Sequence, residues 1–227
     1  MPDARHANLL EPEALVELFL RHPPQGFAAA SEADLPVFGT DFDLLTTLEP
    51  AILVKIRRLP LFGLWSRLLR FPAHFAGTTA TEYAPLPKGL EPGALLDGFR
   101  ERCAAGQSLL IVKDVPEVSP LLGAGDNEAA MRLARIAPDK GFIVVEGQAL
   151  AYVPIDFSST DEYLSRLSKS RRKNLRRKLK SRERLDIEAV PLGDARFGSL
   201  DVLEELYGLY LGVYAQSEIH FDLLTRD

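Results

Sequence analysis

Residues 108–156 read SLLIVKDVPEVSPLLGAGDNEAAMRLARIAPDKGFIVVEGQALAYVPID, and the order of signals in this stretch decides the fold class. Residues 108–114 form an apolar run that ends in Lys113-Asp114, the pattern of a buried strand. A turn at Val115-Pro116 and a Gly/Pro/Asp loop over 120–127 follow, in which Leu122-Gly123-Ala124-Gly125-Asp126 reads as a turn. Residues 128–137 carry helical periodicity and stop at Pro138. Two short apolar runs hinged at Glu146-Gly147-Gln148 then give a hairpin signal over 142–156. Upstream, residues 94–105 read as a helix that feeds the first strand. Helix, strand, helix and hairpin in this order predict an α/β (α+β) chain, a mixed sheet flanked by helices.

Toward the N-terminus, residues 11–20 place Leu15, Leu18 and Phe19 at helical spacing, and His22-Pro23-Pro24-Gln25-Gly26 closes that helix with a loop. Residues 41–77, DFDLLTTLEPAILVKIRRLPLFGLWSRLLRFPAHFAG, are the most apolar part of the chain. Pro50, Pro60 and Pro72 divide them into short helices or loop-helix segments. Lys55, Arg57, Arg58, Arg67 and Arg70 stand beside Phe62, Trp65, Phe71 and Phe75. Two readings are open here. One is a core helix with a charged outer face; the other is a surface-seeking amphipathic segment over 52–75, with Ile52 and Phe75 at its ends, in peripheral contact with a membrane.

Toward the C-terminus, Ser159-Thr160-Asp161-Glu162 has the form of a capping box. It predicts one helix over 160–184, docked by the narrow seam Leu164, Leu167, Leu175 and Leu179. Residues 166–184 hold eleven Lys or Arg and one acid, a net charge of +10, whereas the other 208 residues hold 16 basic and 31 acidic side chains, a net −15. Like charges at i,i+4 repel, so such a helix calls for anions to offset it. Lys169, Arg171, Arg172, Lys173, Arg176, Arg177 and Lys178 are the candidate phosphate- or anion-binding residues, because guanidinium forks bind phosphate bidentately. Compensation by solvent or by the acidic remainder of the chain is the competing reading. Residues 185–190 alternate apolar and acidic, as an edge strand does, and 200–216 read as a Tyr- and Leu-rich helix.

With 46% hydrophobic and 26% charged residues over 227 positions, the composition is that of a folded chain that needs neither disulfides nor a metal. The single Cys103 excludes an internal disulfide, reads as a small buried residue, and fits a reducing compartment such as the cytoplasm. No secretory signal and no membrane-spanning run is read, and His6, His22, His74 and His220 are too far apart in sequence to suggest a metal site. Nucleophile-elbow, Walker and dinucleotide-binding motifs are absent. Glu82, beside Tyr83 in a polar loop between an apolar block and prolines, is the candidate general base.

Taken together, Gly77-Thr78-Thr79, Glu82-Tyr83-Ala84, the apolar pair around 142–156, the block Leu167-Ser168-Lys169-Ser170-Arg171-Arg172-Lys173-Asn174-Leu175-Arg176-Arg177-Lys178 and the terminal Ile219-His220-Phe221 resemble N-acyltransferase-like proteins of the GNAT superfamily related to Fem-type aminoacyl and peptidyl transferases. The resemblance implies a tandem fold of two GNAT-like halves and transfer of an acyl or aminoacyl group to an amine, in cell-envelope (peptidoglycan) or related metabolism. It also implies acyl-CoA or aminoacyl-tRNA as donor, and a site near the inner membrane. Glu82 and Tyr83 would be catalytic, and the basic helix would hold the phosphates of a small molecule or tRNA. The organisation expected on this reading is a helical extension over 1–40, a GNAT-like domain over 41–199 and a linking helix over 200–227. The Arg/Gln-x-x-Gly-x-Gly/Ala loop of acetyl-CoA-dependent members is not read, and the last apolar run stops in mid pattern. Both suggest a second GNAT-like domain carrying most of the donor site. The alternative is a non-catalytic nucleic-acid- or anion-binding module that uses the same helix.

Overall fold

The computed structural model describes residues 5–32, 34–48, 50–89, 91–103, 109–147, 149–191, 193–217 and 220–226, in two compact units, Met1–Gln148 with Val213–Asp227, and Ala149–Gly212. The first unit contains α1 (Glu13–Arg21), β1 (Ala28–Glu32), β2 (Leu35–Asp43), α2 (Pro50–Arg57), α3 (Phe62–Trp65), β3 (Arg70–Ala76), α4 (Pro92–Cys103), β4 (Leu109–Val112) and α5 (Ala124–Ile136). Its strands form one sheet in the order β1-β2-β3-β4, antiparallel except for the parallel pair β3 and β4. A parallel pair needs a crossover, and α4 supplies it. The fold is therefore the expected mixed α+β type.

Period-2 alternation gives each face of the sheet its own core. Leu35 and Val37 of β2, Ala76 of β3 and Leu110 and Val112 of β4 meet Leu95, Leu96, Phe99 and Cys103 of α4 and Leu133 of α5. On the opposite face, Phe38 and Phe42, Ala73 and Phe75, and Leu109 and Ile111 meet Phe19 of α1, Phe27 and Phe221. The segment after residue 220 thus returns to the sheet, and the amide of Gln25 donates to the carbonyl of Leu223 at 2.7 Å. Cys103 is buried, as read from the sequence.

The three antiparallel strands correct two expectations. The segment 1–40 is not wholly helical, since it holds β1 and most of β2, and the 41–77 block holds the end of β2 and all of β3 beside its helices. Pro72 in β3 is tolerated because β4 pairs only with Ala73 to Ala76, so the nitrogen without a proton lies where β4 does not run. The helix expected from 128 begins at Ala124, so residues 124–126 form its first turn and not part of a loop. Ser108, Ala104, Ala105, Gln148 and Ile219 lie outside the described residues.

Two further expected strand regions are not strands. Residues 143–147 and 149–157 form no strand, with Ile143 90% exposed; Phe142 packs against the core and its amide donates to the Ala137 carbonyl. A lone two-stranded ribbon is marginal in water unless a further strand or a helix covers it, and none among the described residues does. Residues 185–190 are likewise unpaired and largely exposed.

The second unit contains α6 (Thr160–Arg166) and α7 (Lys169–Ser181), and α8 (Leu200–Gln216) begins within it. The single helix expected over 160–184 is two helices and a short 3-10 turn, Arg182–Arg184. Leu167 and Ser168 are extended, and the Ser168 hydroxyl caps a new helix by accepting from the Arg171 amide. Leu164 is the only buried residue described in this unit, so local hydrogen bonds and ion pairs, not a core, hold its helices in shape.

Candidate functional site

The first candidate site is α7. Its wheel, at 100° per residue, gathers Lys169, Arg172, Lys173, Arg176, Arg177 and Lys180 on one broad face, with Leu175 and Leu179 along a narrow seam and Arg171 and Lys178 beyond that seam. The stripe from Lys169 to Lys180 runs about 16 Å along the axis. None of these cations takes part in an ion pair among the described residues. Their polar contacts are weak and local: Arg172 donates to the Ser165 carbonyl at 3.4 Å and Arg177 to Asn174 Oδ1 at 3.1 Å. The acidic residues of this unit that form pairs are occupied elsewhere, Asp156 and Glu162 by Arg166, and Glu188 and Asp194 by Arg196. The competing expectation, that carboxylates of the chain compensate the helix, thus finds no ion pair to support it among the described residues.

The entry to this helical pair is built by the capping signal, shifted by one residue. The Ser159 hydroxyl accepts from the Glu162 amide at 3.2 Å, while the Glu162 carboxylate accepts from the amide and hydroxyl of Ser158, at 2.8 and 2.7 Å, not from Ser159. The Ser158 amide, then its hydroxyl, then Arg166 hold the Glu162 carboxyl at about 2, well below its usual 4.5. The folded value is depressed, so the favourable contribution is present above the ordinary carboxylate range and is lost as pH falls from about 4 to about 2. Titration followed by carboxyl carbon NMR is expected to show a Glu162 midpoint near 2; a midpoint at 4.5 would mean that the cap does not form in solution.

The second candidate site, in the other unit, is the loop over 77–86 that carries Glu82 and Tyr83. Gly77, at φ +132, is required there, because a Cβ would stand 3.0 Å from Lys113 Cγ. Lys113 donates from Nζ to the Thr78 carbonyl at 2.9 Å and pairs with Asp114. The buried Thr81 hydroxyl donates to the Tyr83 carbonyl at 2.8 Å, so the Thr78 hydroxyl must donate to it across 2.7 Å. Tyr83 donates its phenol proton to Ser119 Oγ at 3.0 Å, and the Asn127 side chain clamps both the amide and the carbonyl of Ser119. The Glu82 amide donates to Glu11 Oε1 at 2.9 Å, while the other Glu11 oxygen is buried without a partner. The Glu82 side chain is exposed. Thr78 entered the sequence reading only within the motif Gly77-Thr78-Thr79, and Thr81, Lys113 and Ser119 were not read as site residues; Lys113 and Ser119 reach the loop from 35 and 36 positions away.

Hollows lined by described residues open in this unit. One, of about 380 Å³, is lined by Leu86, Lys88, Pro92, Leu95, Asp126 and Leu133 among others. Another, of about 250 Å³, is lined by Thr40, Asp41, Asp43, Arg70, His220 and Phe221. Neither is lined by Glu82 or Tyr83. Among the described residues no cluster of three or more His, Cys, Asp or Glu side chains is arranged to hold a metal ion. Comparisons of the chain with protein-family models, with curated proteins and with solved structures find no match.

Proposed function

We propose that the chain is an N-acyltransferase-like domain that passes an acyl or aminoacyl group to an amine, with α7 holding the phosphates of the donor or the acceptor. The observation that carries this reading is the cationic face of α7, whose side chains have no carboxylate partner among the described residues, in a chain whose residues outside 166–184 carry net −15. Arginine forks place two parallel N–H···O bonds on a phosphate, which fixes orientation as well as position. In the transfer, the amine nitrogen attacks the acyl carbon, Glu82 accepts the amine proton, the acyl C–S or C–O bond breaks, and that proton passes on to the departing thiolate or ribose alkoxide, which leaves as the thiol or hydroxyl. Glu82 suits a base in one respect: its carboxylate is exposed, on a loop that buried hydroxyls brace from beneath. Tyr83, tied to Ser119, holds the other side of the same loop. The GNAT-like half, the second such domain and the envelope role rest on the resemblance of the quoted motifs.

A binding module without catalysis is the second reading, and the length of the stripe favours it: about 16 Å of continuous cationic face is longer than one pyrophosphate and suits a nucleic-acid backbone. Calorimetric titration at low salt with acetyl-CoA, a longer acyl-CoA and a tRNA separates the two. Saturable micromolar binding, weakened at least about tenfold by Arg172→Ala with Arg176→Ala, is the expected result. In the enzyme reading Glu82→Gln keeps that affinity and loses turnover. In the other, only tRNA binds, with log K falling steeply against log salt. An affinity unmoved by the double variant would remove α7 from both.

A further inference from the structure

We infer that residues 50–72 are a docking surface for an anionic lipid bilayer, separate from the helix that binds phosphate. None of the described side chains between 51 and 72 is buried, although this is among the most apolar stretches of the chain. Leu61, Leu64 and Leu68 are 74%, 67% and 75% exposed, with Ile52, Val54 and Leu59 also open. Among the described residues α2 packs only marginally against any other helix or strand. Leu61 adds a second cost, because it holds a left-handed backbone (φ 57) that leucine rarely adopts, at a turn that presents its side chain outward. Among the described residues, neither the exposure nor the strain is offset by packing.

Charge selects the occupant. Apolar side chains are also exposed at Ile143 and Val145, but beside Glu146, and along α8, but beside Asp201, Glu204 and Glu205. Between residues 50 and 72 there are five cations, Lys55, Arg57, Arg58, Arg67 and Arg70, and no acid. Only Arg70 has an ion-pair partner among the described residues, Asp43. Long basic stems let the charged ends reach lipid phosphates while neighbouring leucines enter the acyl boundary. Trp65 fits the same depth: its indole N–H donates to the Pro60 carbonyl at 3.1 Å, which leaves a half-exposed ring with its polar group satisfied. The attachment is interfacial, since no helix among the described residues is long and apolar enough to cross a membrane.

Trp65 is the only tryptophan, so its emission reports on this surface alone. The full chain is mixed with vesicles of phosphatidylcholine, with or without phosphatidylglycerol, and both co-sedimentation and emission are read. Anionic vesicles are expected to carry the protein down, shift Trp65 emission to the blue and shield it from iodide; neutral vesicles do so weakly. Each surface cation contributes about fivefold in affinity, so Arg57→Gln, Arg58→Gln and Arg67→Gln together weaken binding on the order of a hundredfold. Leu61→Ser, Leu64→Ser and Leu68→Ser, all at exposed positions that leave the core intact, abolish the blue shift. Two results overturn the inference. One is co-sedimentation with unchanged Trp65 emission that is lost in Arg172→Ala with Arg176→Ala, which assigns the vesicles to α7. The other is a blue shift that grows with protein concentration in the absence of lipid, which assigns the surface to a second copy of the chain.

Discussion

Replacing Phe38 with alanine is expected to cost about 3–5 kcal/mol of unfolding free energy. Phe38 is fully buried in the centre of β2, and its ring lies flat between two others, 4.8 Å from Phe27 at 2° and 4.8 Å from Phe75 at 4°, while Phe19 meets it edge-on at 5.5 Å. Truncation removes the transfer free energy of the ring and leaves a cavity among side chains that belong to β3, α1 and the loop before β1, none of which can collapse into it alone. Phe221 reaches Phe27, Phe42 and Phe75 from the far end of the chain, so the same loss loosens the return of the C-terminal segment. Phe38→Leu keeps most of the volume and is expected to recover about half of the deficit. Urea unfolding with an unchanged m-value is the measurement. A loss below about 1 kcal/mol would mean that this face of the sheet is not a core. Against a typical total of about 5–15 kcal/mol, the expected loss is a large fraction of the stability.

The same sheet shows which parts of the fold could be read in advance. α4 and α5 were legible as helical stretches, α5 stopped by Pro138, and β4 as a continuous apolar run. β1 was not, since Ala28-Ala29-Ala30 carries little strand preference. β2 contains Pro36 and Gly39, and β3 contains Pro72; these read as interruptions until the pairing shows where each is harmless. The opposite error occurred at 142–156 and 185–190, where apolar runs or strand alternation are present but no described strand pairs with them. Pattern reports a capacity to pair, and pairing needs an edge within reach. The candidate sites divide the same way. The charge of α7 is a local property and was visible in the sequence, except for the break at Ser168, where two successive caps replaced one long helix. Glu82 and Tyr83 were visible as residues, but their bracing was not, because Glu11 contacts Glu82 from 71 positions away and Tyr83 bonds to Ser119 36 positions on.

Asn8→Ala is the second substitution with a large expected effect, and it tests how that loop is held. Residues 5–8 run beside 84–88: the Ala7 amide donates to the Leu86 carbonyl at 2.8 Å and the Lys88 amide to the Arg5 carbonyl at 2.9 Å. At the next step the Asn8 side chain takes the place of a peptide group. Its Nδ2 donates to the Ala84 carbonyl at 2.6 Å and its Oδ1 accepts from the Leu86 amide at 3.0 Å, and the whole side chain is buried. Alanine leaves that amide and that carbonyl buried without partners, at about 1–3 kcal/mol each, so about 2–6 kcal/mol in all. Leu86 amide exchange should accelerate by the matching factor, since its acceptor is gone. Asn8→Asp separates the two bonds. It keeps an acceptor for the Leu86 amide but sets a carboxylate against the Ala84 carbonyl, where burial and the carbonyl dipole raise the folded pKa above its unfolded value of about 3.9. A raised folded value favours the protonated form, which alone can donate to Ala84, so this variant is more stable near pH 4 than at pH 7 and loses that stability as pH rises through the folded pKa. A protected Leu86 amide in Asn8→Ala, or a deficit in Asn8→Asp that does not vary with pH, would show that the loop carrying Glu82 is held by something other than this side chain.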